Sequence, residues 1–227
     1  MAKESLEQKV ERLEGEIERQ RAATECNRLL GRFCYLNNPH VQNKKGTIAD
    51  LFALNTPGVR VQWGQVGIFE GKESILRIYG PKNAISEMGP QSRAGWMFVH
   101  PLASPYIEVA GDLKTAKGVW LSIGIESAGD DKGNLTPAWG WGAYGVDFVK
   151  EDGQWKIWHF HIYRIFRAPY KESWTAWDPD DEPHMPADAL KADRPGKDDY
   201  PYRANKPFIF KPDPPNPYQT FDEETGY

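Results

Sequence analysis

Residues 139–166 read WGWGAYGVDFVKEDGQWKIWHFHIYRIF, and this stretch decides the fold. It contains two runs rich in aromatic and β-branched residues, 139–149 and 155–166, joined by Glu151-Asp152-Gly153. Such residues favour strands, and an Asp-Gly pair favours a tight turn. The stretch therefore predicts two long antiparallel strands that follow one another directly.

The segments before this hairpin predict helices first and more strands afterwards. Apolar residues spaced by four, three and four positions predict an amphipathic helix that continues to Leu36 and stops at Asn37-Asn38-Pro39. Shorter helical pieces are expected near residues 48–52 and 75–79. Two further strands, 106–109 and 117–126, flank a Gly111-Asp112 turn. Helices followed by a strand meander indicate the α+β class.

Both ends of the chain differ from the body, which we expect to span residues 22–168. Residues 1–21 predict a helical arm whose apolar stripe covers only two heptads, so packing on the body or on another subunit is expected rather than a coiled coil. Residues 169–227 are rich in proline and acidic residues but keep many aromatic residues. We interpret this segment as an extended C-terminal arm that docks on the body or on a neighbouring subunit; the alternative, which the proline content favours, is a disordered tail.

Composition argues against several classes of protein. The net charge is −4 and the basic residues are scattered, which disfavours a nucleic-acid partner. No apolar run is long enough to span a bilayer, and the charged, helical N-terminus does not resemble a leader, so a cytoplasmic location is expected. Cys26 and Cys34 lie eight residues apart on one predicted helix, too far for a disulfide, which suits reduced thiols.

Aromatic residues make up 13% of the chain, including nine Trp. These side chains either line a ligand pocket or fill the core and an interface. A pocket with such walls favours a flat aromatic or polycyclic ligand. The candidates for pocket walls are Trp63, Met97, Trp120, Trp139, Trp141, Tyr144, Phe148 and Tyr163.

Several pieces in this order resemble the SnoaL-like branch of the nuclear transport factor 2-like superfamily, over residues 5–168. They are residues 29–35 (LLGRFCY), 49–52 (ADLF), 69–75 (FEGKESI), His100 ahead of 107–112 (IEVAGD), and 151–157 (EDGQWKI). The resemblance implies a cone-shaped, curved, mostly antiparallel sheet wrapped by N-terminal helices, a cystatin-like α+β barrel with an apolar pocket. It also implies a homodimer or homotrimer, and chemistry without a cofactor.

The resemblance further assigns roles to residues of this chain. His100 occupies the position of the catalytic histidine in the dehydratases and the dehydrochlorinase of the family, and Tyr35 occupies that of a substrate-polarising tyrosine. The position of the acid that orients the histidine reads Asn37-Asn38-Pro39-His40, with no carboxylate. Asn38 orienting His100, or His40 titrating itself, are the alternatives, and both residues can instead serve only to end the helix.

His159 and His161 alternate with Trp158 and Phe160, so both histidines lie on one face of a strand. If that face lines the pocket, His161 and Tyr163 become candidates for acid, base or hydrogen-bond donor. A His-x-His pair also suits a metal, but a third ligand is needed and no motif supplies one, so no metal site is predicted.

These observations favour a cofactor-independent lyase acting on a small aromatic or apolar hydroxylated compound. Either a dehydratase or a carbon–carbon cleaving enzyme that releases formaldehyde fits, with His100 as general base. The alternatives are an isomerase or cyclase of a steroid- or polyketide-like substrate, and a non-catalytic ligand-binding or assembly module.

Overall fold

The computed structural model of the chain describes residues 4–38, 47–64, 66–83, 94–129, 134–181, 191–197 and 200–227. Within these residues lie helices α1 (Leu6–Leu36) and α2 (Gly71–Tyr79) and a 3-10 turn at Ile48–Leu51. The strands described there are β1 (Arg60–Trp63), β2 (Gly67–Glu70), β3 (Met97–Val99), β4 (Leu102–Val109), β5 (Thr115–Gly129), β6 (Leu135–Glu151) and β7 (Gln154–Pro169).

The strands form one curved, open sheet in the order β2-β1-β7-β6-β5-β3, and β4 also pairs with β5. All pairs are antiparallel except β1 with β7, which is parallel. The predicted hairpin of residues 139–166 is the pair β6–β7 at the middle of this sheet. The predicted α+β class is therefore confirmed.

Helix α1 begins and ends where the sequence indicates. The Ser5 hydroxyl accepts a hydrogen bond from the Gln8 main-chain N–H, and the Gln8 side chain accepts one from the Ser5 N–H. This reciprocal capping satisfies donors that a helix start leaves unpaired. The helix runs without interruption to Leu36, and its residues are buried from Ala22 onward at helical spacing. The predicted arm and the first helix of the body are thus one continuous helix.

The two helices cover one face of the sheet, which we call the inner face. Side chains from α1, the turn at residues 48–51 and α2 pack there against alternate residues of the strands. Trp120, Tyr144 and Phe160 belong to this inner set and are each at most 3% exposed. Aromatic edge contacts join Phe33 of α1 to Tyr144 and Phe160.

The C-terminal segment returns over the opposite face, which we call the outer face. The Gly111 N–H donates to the main-chain oxygen of Tyr218 at 2.9 Å, and the Tyr227 N–H donates to Asp147 Oδ2 at 2.8 Å. The Phe221 ring packs on Trp158 with ring centroids 4.7 Å apart. The arm therefore docks on the body of its own chain, and its contact with a neighbouring subunit stays a prediction.

Neither described helix has a stretch that combines the length and the apolar character needed to cross a bilayer.

Candidate active site

His100 lies on the inner face, between β3 and β4, where Gly124 of β5 makes room for its ring. Trp120, Ser122 and Gly124 alternate along β5 and share the inner face. A Cβ added at Gly124 would overlap the His100 ring, and one added at Gly140 of β6 would lie 3.5 Å from His100 Cε1. A side chain at position 124 would therefore exclude the imidazole from this place, whereas one at position 140 would crowd Glu126 Oε1, 2.8 Å from the added Cβ.

Glu126 supplies a carboxylate directly beside this imidazole. It follows Gly124 by two positions on β5, and its Oε1 lies 3.2 Å from His100 Nε2. Its second oxygen, Oε2, accepts a hydrogen bond of 2.7 Å from Arg167 Nε of β7. The His100 and Glu126 side chains are each 17% exposed. Three strands or their ends therefore assemble a partly buried His–Glu–Arg group.

The Glu126 carboxylate stays ionised across the physiological pH range. Burial by itself raises the pKa of Glu126, but the His100 hydrogen bond and the Arg167 charge outweigh burial and lower that pKa to about 2. A carboxylate that accepts from His100 Nε2 keeps the proton of the neutral imidazole on that nitrogen. Nδ1 is then the nitrogen that can accept a proton.

Nδ1 of His100 faces the hydroxyl group of Ser122. It lies 3.5 Å from Ser122 Oγ, at the outer limit of a hydrogen bond. Tyr144 lies on the same face of the sheet, two residues from the Gly142 that pairs with Ser122. Burial first, and then the nearby Cys34 and Glu126, raise the pKa of Tyr144, so its phenol stays protonated. The arrangement places a proton acceptor next to a hydrogen-bond donor.

The profile of the SnoaL-like domain matches residues 18–161 of the chain. The chain belongs to the SnoaL-like domain family. His100, Ser122 and Glu126 lie inside the matched residues, whereas Arg167 and the C-terminal segment lie beyond them. The SnoaL-like assignment confirms the resemblance to the nuclear transport factor 2-like superfamily.

Solved structures of several proteins share the SnoaL-like fold of this chain. A hexachlorocyclohexane dehydrochlorinase (LinA) of type 2 is 11% identical, with a TM-score of 0.53, over 70% of this chain and 95% of that protein. The type 3 enzyme from Novosphingobium barchaimii LL02 is 12% identical, with a TM-score of 0.52, over 70% and 96%. A protein described as a scytalone dehydratase, from Novosphingobium aromaticivorans DSM 12444, is 15% identical, with a TM-score of 0.50, over 66% of this chain and 88% of that protein. No curated protein sequence matches the chain.

Four of the residues predicted to line a pocket lie on the inner face of the SnoaL-like domain: Trp63, Trp120, Tyr144 and Phe148. Trp63 Nε1 donates to the Tyr79 hydroxyl at 2.8 Å, and Trp120 Nε1 donates to Asn27 Oδ1 at 3.1 Å. Both indoles are packed into the hydrophobic core. Tyr144 shares this face with the His100 cluster and lies diagonally across from Ser122 on the neighbouring strand.

Five predicted residues lie on the outer face instead, and one of them is Trp139, which is opposite Ile125 of β5 and stacks on Tyr170. In the β6–β7 pairing His161 is opposite Gly145 and Tyr163 is opposite Ala143, each offset by one residue from the inner-face pairs. Trp141 lies on the same side, with its ring stacked on Phe166. Met97, opposite Ser127 of β5, follows the same alternation. This placement corrects the expectation that His161, Tyr163, Trp139, Trp141 and Met97 share one site with His100.

His161 is a neutral buried residue beneath the C-terminal segment. It is 4% exposed, stacks on Tyr163 with ring centroids 3.6 Å apart, and lines a small cavity of about 40 Å³. Burial first, and then the charges of Lys197 and Arg60, lower the pKa of His161 to about 3. Among the side chains that the structure describes, its Nε2 has no hydrogen-bond partner.

The residues predicted near the end of α1 are placed differently from one another. The Tyr35 side chain is 82% exposed on the solvent side of the helix, so the structure does not bring it next to His100. Asn38 is half-buried just after the helix. His40 lies outside the described residues. Within the described ranges no cluster of three or more His, Cys, Asp or Glu residues suits a metal ion.

Sequence reasoning missed Glu126, Ser122 and Gly124 beneath His100. Their signal is the run of residues 122–126, SIGIE, in which small or polar residues alternate with isoleucines inside a predicted strand. Alternation of this kind marks one strand face that is not packed with apolar side chains. Phe98, opposite Glu126 on β3 and half-buried, is an aromatic neighbour that was also missed.

Proposed function

We propose that the chain is a cofactor-independent lyase that eliminates water, or water together with formaldehyde, from a small aromatic or apolar hydroxylated compound. The observation that carries this proposal is the imidazole of His100 held beside the Glu126 carboxylate, over Gly124 on the inner face. A histidine oriented by a carboxylate in a partly buried site is suited to general base catalysis. The shared fold with dehydrochlorinase structures agrees with this reading but does not decide it.

In the dehydratase form, His100 Nδ1 takes a proton from the carbon next to the hydroxyl-bearing carbon. The electron pair of that C–H bond forms a C=C bond as the C–O bond breaks. The leaving oxygen receives a proton from the imidazolium, so that water departs and His100 returns to its neutral state. Ionised Glu126 stabilises the imidazolium in between, and the Ser122 hydroxyl, 3.5 Å from Nδ1, is placed to donate a hydrogen bond to the substrate.

In the formaldehyde-releasing form, the same nitrogen removes the proton of a primary hydroxyl group. The C–C bond next to that carbon breaks and formaldehyde leaves. The freed electron pair forms a C=C bond and expels a hydroxyl group from the next carbon, which takes the proton from His100. Both forms use the same imidazole and the same carboxylate.

Two other functions use the same arrangement in different ways. An isomerase would return the proton from Nδ1 to a different carbon of a steroid- or polyketide-like substrate, without expelling a group. A non-catalytic module would hold an aromatic ligand near Phe98 and Tyr144 without transforming it.

The test incubates the full chain with a panel of aromatic compounds that carry a hydroxyl group next to an acidic C–H or a primary alcohol. Mass spectrometry then separates the cases: loss of water, loss of water and formaldehyde, or a new isomer of unchanged mass. The first two outcomes support the lyase, and the third replaces it by an isomerase. Ligands that bind in calorimetry but are never converted would contradict an enzymatic function.

A further inference from the structure

The N-terminal half of α1 carries an apolar stripe that nothing in the described chain covers. We call Leu6, Val10, Leu13 and Ile17 the N-terminal stripe; their side chains are 79%, 45%, 40% and 47% exposed. From Ala22 onward the same helix is packed on the sheet. An exposed, continuous apolar stripe on a helix indicates a surface that meets a partner.

The stripe faces away from the body of its own chain. At about 100° per residue, the N-terminal stripe and the buried positions Ala22, Cys26 and Phe33 lie on roughly opposite sides of the helix. The body therefore cannot cover the stripe without breaking the helix. A second molecule can reach the stripe without meeting the sheet.

The residue types on the stripe match a two-stranded, parallel pairing. Val10 and Ile17 fall at position a of a heptad, and Leu6 and Leu13 fall at position d. β-Branched residues at a combined with Leu at d favour parallel dimers over higher assemblies. The polar residues Gln20 and Thr24 occupy the next d and a positions, so the apolar seam between two paired helices would end within this half of α1.

The charges beside the stripe select the same orientation. In a parallel pair, position g of one helix faces position e of the following heptad on the other helix. Lys9 would then face Glu14 of the partner subunit, and Glu16 would face Arg21 of the partner subunit, so every such pair is attractive. In an antiparallel pair, Lys9 would face Glu16 of the partner subunit, but Glu7 would approach Glu14 of the partner subunit, so attraction and repulsion offset each other.

We propose that two copies of the chain associate through the N-terminal stripe as a short, parallel helix pair. Isolated helices of this length are marginal because nucleation is costly. Here the helix continues from a half that is already packed on the sheet, so the stripe is presented on a formed helix. Exposed ion pairs within one helix, such as Arg12 with Glu16 at 2.9 Å, contribute little and can rearrange on association.

The test uses sedimentation equilibrium of the full chain over a range of concentrations, with two variants that each keep the net charge. The first is Glu14→Lys with Arg21→Glu, and the second is Lys9→Glu with Glu16→Lys. In each variant alone, all facing pairs of a parallel dimer become repulsive. In an equimolar mixture of the two, all of them become attractive.

Wild type is expected to approach twice the monomer mass, each variant alone to stay monomeric, and the mixture to regain the dimer. Leu13→Asp is expected to abolish association, with helix content checked by circular dichroism. The control Glu18→Arg with Arg19→Glu changes charges away from the seam and should leave the dimer unchanged. A monomeric or trimeric wild type, a dimer that survives Leu13→Asp, or a first variant that still dimerises alone would overturn the proposal.

Discussion

At the scale of single residues, the position of Glu126 between His100 and Arg167 has a consequence for stability. The folded pKa of Glu126 is about 2, below its ordinary value of 4.5. As pH falls, Glu126 is protonated in the unfolded chain before it is protonated in the folded chain. The stability that ionised Glu126 contributes is therefore complete above about pH 4.5 and is lost as pH falls towards 2.

The variant Glu126→Gln tests this linkage. It cannot titrate, so its free energy of unfolding should change less steeply with pH between 4.5 and 2, by up to about 1.4 kcal/mol per pH unit. Urea unfolding at several pH values measures the slope. The exposed Glu73→Gln in α2 is a control that should keep the wild-type slope. Equal slopes for wild type and Glu126→Gln would contradict the ion-paired state of Glu126.

Buried His161 should cause a separate pH dependence of stability, which begins at a higher pH than that of Glu126. Its folded pKa of about 3 lies below its ordinary 6.5, because the site is buried and near positive charges. The unfolded chain binds the proton first as pH falls from 6.5, so His161 costs stability progressively down to about pH 3. His161→Phe should flatten the unfolding free energy over this window by up to about 1.4 kcal/mol per pH unit. An unchanged profile, again from urea unfolding, would show that His161 titrates normally.

At the scale of secondary-structure elements, strand β5 must lack a side chain beneath His100. Gly124→Ala should displace the imidazole from Glu126 and lower activity at least 10-fold, since the added Cβ overlaps the ring. Gly31→Ala in α1 is the matched control, because no atom lies within 4 Å of its added Cβ. It should leave kcat unchanged and raise stability by about 0.5–1 kcal/mol. Steady-state kinetics and thermal unfolding of both variants check the prediction, and full activity in Gly124→Ala would contradict it.

The strands also differ in how far the sequence could predict their faces and their pairing. Alternation along β6 and β7 correctly placed His159 and His161 on one face, because strand periodicity is local. Which face the helices cover is a tertiary property, so the sequence could not tell that His161 lies opposite the His100 site. The parallel pairing of β1 with β7 joins residues far apart in the chain, so no local sequence pattern predicts it.

The candidate site was predictable only in part for the same reason. The family resemblance predicted His100 as the catalytic base, but it predicted that the group that orients it lies near the end of α1, with Asn38 as a candidate. The carboxylate that contacts His100 comes instead from Glu126, 26 residues further along the chain. Tyr35 matched a family position by spacing, yet the helix presents it to solvent.

At the scale of the whole molecule, the C-terminal segment acts as a cover for the outer face. Lys117 Nζ donates to the Thr225 main-chain oxygen at 2.7 Å and lies 4.8 Å from the centroid of the Phe221 ring. Beneath it, Asp147 and His159 are fully buried, and their side chains lie 2.8 Å apart. The segment keeps water away from this buried, hydrogen-bonded pair of polar side chains.

Phe221→Ala should therefore destabilise the chain by about 1–3 kcal/mol, as expected for a partly buried aromatic residue. Phe210→Ala is the matched control, because Phe210 is 51% exposed and its ring contact is with Phe208 of the same segment. It should cost less than about 0.5 kcal/mol. Urea unfolding of both variants checks the difference, and equal effects would contradict the covering role of the segment.

The most direct test of the proposed chemistry is the kcat of His100→Gln on the compound that the wild-type chain converts. With His100 as the proton acceptor, kcat should fall by about 10²–10⁴-fold, while KM changes much less. Glu126→Gln should show a smaller loss, since it positions the imidazole without touching the substrate. A His100→Gln variant that is folded and keeps the wild-type kcat would contradict the account.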